Sequence, residues 1–276
     1  MIFRRSAAEL RRLRVANALV AEVLGELRGI VEPGVTTREL DDVAENRVRA
    51  AGATPAFKGY HGYPATLCTS VNEQVVHGIP SDRRLREGDI VSIDLGVVLD
   101  GFYGDSAVTV PVGAVSESAE MLLRVTEQSL ARSIDQARPG GRVSDLGHAV
   151  QRHVEAHGYS VVREFVGHGI GTSLHEDPQV PNYGKPGRGA RLATGMVLAI
   201  EPMVSMGEPA VQVLGDGWTA VTRDGSLTAH FEHSVAITRD GPLVLSRPLD
   251  EAAAGDRSLD AGASLSAPVQ GGQELS

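Results

Sequence analysis

A chain of 276 residues with 42% hydrophobic residues is long enough to bury a sizeable core. Its formal net charge of −9 argues against nucleic acid or an anionic membrane as the main partner. A single cysteine, Cys68, excludes an internal disulfide framework and a cysteine-based zinc site, and it fits a reducing, cytoplasmic setting.

The basic start, with Arg4, Arg5, Arg11, Arg12 and Arg14, is interleaved with apolar residues and reads as the solvated face of a helix. It lacks the apolar core of a signal peptide, and no run in the chain reaches transmembrane length. Leu10, Leu13, Ala16, Leu19, Val20, Val23 and Leu27 recur at helical spacing and predict a helix over 6–31. Pro33-Gly34 ends it. Thr36 with Glu39 makes a capping-box signature for a second helix reaching about Ala51. Strand-like sequence follows over 66–112, broken by Asp100-Gly101, a strong two-residue hairpin turn. The plan then repeats, with helices over about 116–137 and 144–157 and strands over 161–245 joined by glycine-rich connections. Helices segregated from largely antiparallel strands predict an α+β fold. Beyond Leu249 the composition turns to Ala, Gly, Ser, Asp and Gln, so 250–276 reads as a disordered tail on a folded domain of residues 1–249.

The repetition is visible residue by residue. GDIVSID, ending at Asp94, recurs as GMVLAIE, ending at Glu201, 107 residues later. Upstream, Pro33-Gly34, Leu40, Val48, Ala50 and Gly52 recur at Pro139-Gly140, Leu146, Val154, Ala156 and Gly158, with an offset of 106. Two half-domains, about 6–112 and 113–248, related by a pseudo-two-fold axis, are the natural reading. Each half offers two acids: Asp94 and then Asp105 in GDSAVTV, Glu201 and then Glu232 in FEHSVAIT.

A turn at Asp100-Gly101 places Asp94 opposite Ala107, with Asp105 two positions away on the same face. Two carboxylates side by side on a buried surface are costly unless something compensates their charge. The alternative, Asp105 capping the hairpin in water, leaves the second pair unexplained. His168, in GHGIGTSLHEDP with His175 seven residues on, supplies a neutral donor, and its flanking glycines permit close backbone approach. Those glycines do not form a phosphate cradle, because the spacing fits no nucleotide motif and Pro178 prevents a following helix. Four carboxylates and one imidazole form a hard, oxygen-rich set suited to two divalent ions such as Mn or Fe, with Co and Zn tolerated. Hydrolysis is the implied chemistry, and neither a G-x-S-x-G elbow nor an H-E-x-x-H helix competes for that role.

The strings YHGYPATLCTSVNEQVVHGIP, GDIVSIDLGVVLDGFYGDSAV, GHGIGTSLHEDPQVPNYG, GMVLAIEPM and FEHSVAIT closely resemble the bacterial type I methionine aminopeptidases, over about residues 5–248. The resemblance implies the pita-bread fold and removal of the initiator methionine from nascent polypeptides when the second residue is small. It makes Asp94, Asp105, His168, Glu201 and Glu232 the metal ligands, with Asp105 and Glu232 bridging two ions. It also implies that Glu201 assists proton transfer from the attacking water, that His175 donates a hydrogen bond near the scissile carbonyl, and that His77 touches substrate beyond the scissile bond. Tyr60, Tyr63, Cys68 and Trp218 resemble the walls of the methionine pocket, although Trp218 alone reads equally well as a core residue. Phe57 stands where the resemblance calls for a smaller residue, and Leu174 where it calls for an aromatic.

The short stretch between His175 and Glu201 leaves no room for the extra domain of type II members, and the single cysteine excludes the zinc-binding extension of eukaryotic cytosolic ones. A monomer is expected, and a ribosome contact through the tail or the basic N-terminal helix is left open. Two other readings share the fold. A prolidase or proline-specific aminopeptidase usually carries an N-terminal domain, for which there is no room before Pro33. An inactive binding module typically loses ligands, and all five are present.

Overall fold

The computed structural model describes residues 1–249; the tail expected over 250–276 lies outside the described residues. Helix α1 (Ala7–Ile30) opens on a capping box in which the Ser6 side chain accepts from the Glu9 amide and Glu9 reaches back to the Ser6 amide. Helix α2 (Thr37–Ala50) opens in the same way on Thr36 and Glu39, as its sequence predicts. Strands β1 (Thr54–Pro55), β2 (Leu67–Val71), β3 (Gln74–Val76), β4 (Ile90–Leu99) and β5 (Phe102–Pro111) complete the first half. The second half repeats the helix pair as α3 (Glu117–Gln136) and α4 (Val143–Ala156). Its strands begin with β6 (Ser160–Val161), β7 (Gly167–Gly169), β8 (Glu176–Val180), β9 (Val197–Ile200) and β10 (Met203–Ser205). They end with β11 (Val211–Val213), β12 (Ala220–Thr222), β13 (Thr228–His230), β14 (His233–Thr238) and β15 (Gly241–Val244).

The two repeated strings form the centres of two antiparallel sheets. In the first, β4 lies between β5 on one edge and β2 and β1 on the other. In the second, β9 lies between β7 and β14, with β8 and β15 outermost. The hairpin between β4 and β5 turns at Asp100 (φ 50°) and Gly101 (φ 78°), two left-handed residues of the kind a tight hairpin requires. Its register pairs Asp94 with Ala107 and Gly96 with Asp105, as the sequence predicts. Strand β12 of the second half also pairs with β3 of the first, so the halves share a sheet.

Apolar faces of the helices cover these sheets. Leu27, Leu40 and Val48 pack in one core with Ile90 and Ile93, and the same core continues through Leu122, Leu146 and Val150 to Leu198 and Ile200. Each such side chain contributes about 1.5–3 kcal/mol by leaving water. Helix α1 approaches β5 closely enough that a Cβ on Gly104 would lie 2.7 Å from the Ala16 carbonyl. That proximity lets the buried Asn17 side chain accept the Asp105 amide at 3.1 Å while donating to the Leu13 carbonyl at 2.9 Å.

The halves are joined at the acids themselves. The Glu232 amide donates to the Ala107 carbonyl at 2.9 Å, and Ser106 Oγ donates to the Glu232 carbonyl at 2.6 Å. Ser234 Oγ donates to the Asp105 carbonyl at 2.9 Å. Thr109 Oγ1 donates to the His230 carbonyl at 2.8 Å and accepts the His230 amide at 2.9 Å. Backbone geometry at Asp105 is therefore tied to the segment that carries Glu232. Gly104→Ala is expected to push α1 off β5 at a cost of about 1–3 kcal/mol, measured as a lower urea midpoint; an unchanged midpoint would contradict this packing.

Candidate metal centre

Register and strand termini bring the four acids together. Asp94 and Asp105 share a face of the β4–β5 hairpin, Glu201 follows the end of β9, and Glu232 precedes β14, the neighbour of β9. His168 sits in β7, opposite Ala199 of β9. Its two glycines serve the crowding expected from the sequence: a Cβ on Gly167 would lie 2.3 Å from the Ala199 carbonyl oxygen, and one on Gly169 the same distance from that of Asp177. The His168 Nδ1–H donates to the Gly169 carbonyl at 2.9 Å, which turns Nε2 and its lone pair toward the acids. That Nε2 lies 3.9 Å from Asp105 Oδ2 and 3.5 Å from Glu201 Oε1.

Burial drives every one of these groups toward its neutral form. Desolvation pushes Asp94 up to about 7. Asp105, Glu201 and Glu232 are raised as well, first by desolvation and then by one another's charge and that of Asp94. Burial lowers His168 to about 4, with His175 adding to the effect. Asp94 Oδ1, Asp105 Oδ1 and Glu232 Oε1 are buried without a hydrogen-bond partner. Ligand atoms of Asp105, His168 and Glu232 all lie within 4.8 Å of one another. Orphaned carboxylate oxygens converging beside an imidazole lone pair fit a divalent cation, which would compensate the charge that water no longer solvates.

A cavity of about 210 Å³ opens over this cluster and is lined by all five of these residues. Phe57, Tyr60, Tyr63, Cys68, His77, His175 and Trp218 line it too, so every site residue nominated from the sequence reaches one place. Cys68 in β2 pairs directly with Asp94. Phe57 lies over Gly96, where a Cβ would meet its ring at 2.5 Å. Phe57 and Leu174, the two departures from the expected pocket, belong to one apolar cluster with Tyr63 and Cys68, so the larger ring at 57 accompanies the smaller side chain at 174. Tyr63 is fixed by donating to the Leu67 and Gly78 carbonyls, and its ring meets Trp218 edge-on at 5.1 Å. His175 is exposed at the mouth, hydrogen-bonded through Nδ1 to the Tyr60 hydroxyl at 2.8 Å, with its ring 4.4 Å from that of His168. His77 adopts a left-handed backbone (φ 61°), and burial lowers its imidazole to about 4. It faces Phe165, a cavity residue absent from the sequence reading.

His230, like Phe165, joins the cavity without a motif of its own in the sequence. It is 2% exposed, lines the cavity, and carries an Nε2 without a partner, 4.0 Å from Glu201 Oε2. Burial holds it neutral, lowered to about 3. The available signal was its position two residues before Glu232, the spacing that points side chains to one side of an extended chain.

Two pseudo-symmetric half-sheets closing on a buried carboxylate and imidazole cluster define a metal-dependent hydrolase of the pita-bread fold. The chain belongs to metallopeptidase family M24, whose model matches residues 11–239. It is 53% identical over 246 residues to a methionine aminopeptidase of Clostridium perfringens, covering 89% of this chain and 99% of that protein. The crystal structure of methionine aminopeptidase from Thermotoga maritima superposes with a TM-score of 0.88 at 47% identity, covering 90% of this chain and all of that one. The prolidase of Pyrococcus horikoshii shares the fold, with a TM-score of 0.72 at 22% identity, covering 88% of this chain and 63% of its own.

Divalent ions at this cluster are expected to stabilise the native state, by about 2.7 kcal/mol at a hundredfold excess over the dissociation constant. Chelation should lower the thermal midpoint and added Mn(II) should restore it, with a much smaller response in Asp105→Ala. Equal responses in the two proteins would remove Asp105 from the site.

Proposed function

We propose that this chain is a metal-dependent aminopeptidase that removes N-terminal methionine from polypeptides whose second residue is small. The observation that carries this reading is the adjacency, in one cavity, of an acid and imidazole cluster and an apolar, sulfur-containing wall. Aromatic rings and the buried Cys68 thiol suit an unbranched thioether, and the acids line the same cavity. The methionine aminopeptidases that the chain resembles along nearly their whole length support the same assignment.

In this reading Asp94, Asp105, His168, Glu201 and Glu232 would hold two divalent ions. Mn, Fe, Co and Zn all suit the donor set. When bound, the ions would supply positive charge that acidifies an attacking water and polarises the scissile carbonyl. Glu201 accepts the proton of that water as the oxygen–carbon bond forms, and returns it to the departing amine as the carbon–nitrogen bond breaks. His175, held by Tyr60 at the mouth, donates a hydrogen bond toward the carbonyl oxygen as its negative charge grows. His77 contacts the substrate past the scissile bond, and its packing against Phe165 and Trp218 limits the second side chain. Phe57, Tyr60, Tyr63, Cys68 and Trp218 enclose the methionine.

The substrates are the N-termini of nascent polypeptides, met in the cytoplasm by a monomer. No helix among the described residues is long and apolar enough to cross a membrane. A ribosome contact would bring the enzyme to those N-termini as they emerge. Residues 1–249 form the catalytic domain, with its halves meeting at the acids.

Met-Ala-Ser is expected to be hydrolysed with release of methionine, at least tenfold faster than Met-Arg-Ser, and to lose turnover on chelation. An Ala-Pro peptide should remain intact. Hydrolysis of the Ala-Pro bond in preference to Met-Ala would replace this reading with the prolidase one.

A further inference from the structure

Glu201 stands between two imidazoles. His168 Nε2 faces its Oε1 at 3.5 Å, and His230 Nε2 faces its Oε2 at 4.0 Å. The two histidines differ in how they are held. His168 belongs to the cluster of ligand atoms within 4.8 Å of one another, and His230 does not. His230 is instead clamped through its backbone by both bonds to Thr109, on the strand that carries Asp105. Its side chain is buried, projects into the cavity, and ends in an Nε2 with no protein partner. An unpartnered buried polar atom costs about 1–3 kcal/mol, and phenylalanine or leucine would fill the position without that cost.

A separation of 4.0 Å is too long for a direct hydrogen bond and short enough for one small oxygen to bond both atoms. Resting on the reading of Glu201 as the proton acceptor, we propose that His230 holds the attacking water together with Glu201. Glu201 Oε2 accepts one O–H of that water and His230 Nε2 accepts the other, so the water's lone pair is aimed at the scissile carbonyl. The proton that moves goes to Glu201. His230 transfers none and orients the nucleophile, which is a recognised route to rate.

This role separates from ligation and from packing. His230→Leu keeps an apolar side chain in the site and removes the acceptor; His230→Gln puts an amide acceptor near the place of Nε2. Each variant is assayed on Met-Ala-Ser, with Mn(II) binding followed by calorimetry and the melting temperature of the chelated protein measured alongside. His230→Leu is expected to lower kcat about tenfold to a hundredfold, with KM, Mn(II) stoichiometry and affinity, and melting temperature close to those of the parent. His230→Gln should recover most of that loss. A parent-like kcat in His230→Leu overturns the proposal, as do loss of an ion in that variant, a change confined to KM, or a deficit that Gln fails to recover when both variants fold. If the parent protein itself leaves Met-Ala-Ser intact, the aminopeptidase reading fails first.

Discussion

Four carboxyl groups are buried within one small cavity, and desolvation drives each toward its neutral form, with neighbouring carboxylates adding to the effect at Asp105, Glu201 and Glu232. Among the described residues, no arginine or lysine lines that cavity to balance them. In their ionised form the four acids are tolerable together only if a cation compensates their charge, and contacts between the two halves hold them in place. The bonds of Ser106, Ser234 and Thr109 to the opposite half, with the Glu232 amide on the Ala107 carbonyl, fix the backbone where the carboxylates diverge from it. Asn17 extends the same control to α1, so the first helix also bears on the position of Asp105.

Pseudo-two-fold symmetry explains how such a site is built from ordinary sequence. Each half is a helix pair laid over an antiparallel sheet; β4 delivers Asp94 from its middle and β5 delivers Asp105, while Glu201 follows β9 and Glu232 precedes the neighbouring β14. Neither half alone closes the cavity, because Asp94 and Cys68 come from one and His168, Glu201 and Trp218 from the other. Imidazoles divide the work that remains. His168 is turned by its bond to the Gly169 carbonyl so that its lone pair meets the acids. His175 stands at the mouth, His77 packs against Phe165 and Trp218, and His230 faces Glu201 Oε2.

The acids were legible in the sequence because the strings that carry them repeat, and because Asp100-Gly101 fixes the register of the hairpin without any knowledge of tertiary structure. Capping residues made α2 readable, and the α1 box at Ser6 and Glu9 was equally available. Sequence could not place the parts that depend on contacts between distant segments. Asn17 reads as an interruption of an apolar helix face until its bond to the Asp105 amide is seen. Thr109 and Ser234 read as ordinary strand residues, and His230 is hidden by a motif whose glutamate draws attention two residues later. The exchange of size between Phe57 and Leu174 is likewise invisible along the chain, since 117 residues separate two side chains that share one cluster.

The central claim is that the two halves converge to make a centre for divalent cations, and anomalous X-ray diffraction from crystals grown with Mn(II) tests it most directly. The account predicts two anomalous peaks inside the cluster, one nearer Asp94 and one nearer His168 and Glu201, with Asp105 and Glu232 between them. Crystals saturated with Mn(II) that show no peak within the cluster, or peaks only elsewhere on the molecule, would contradict it.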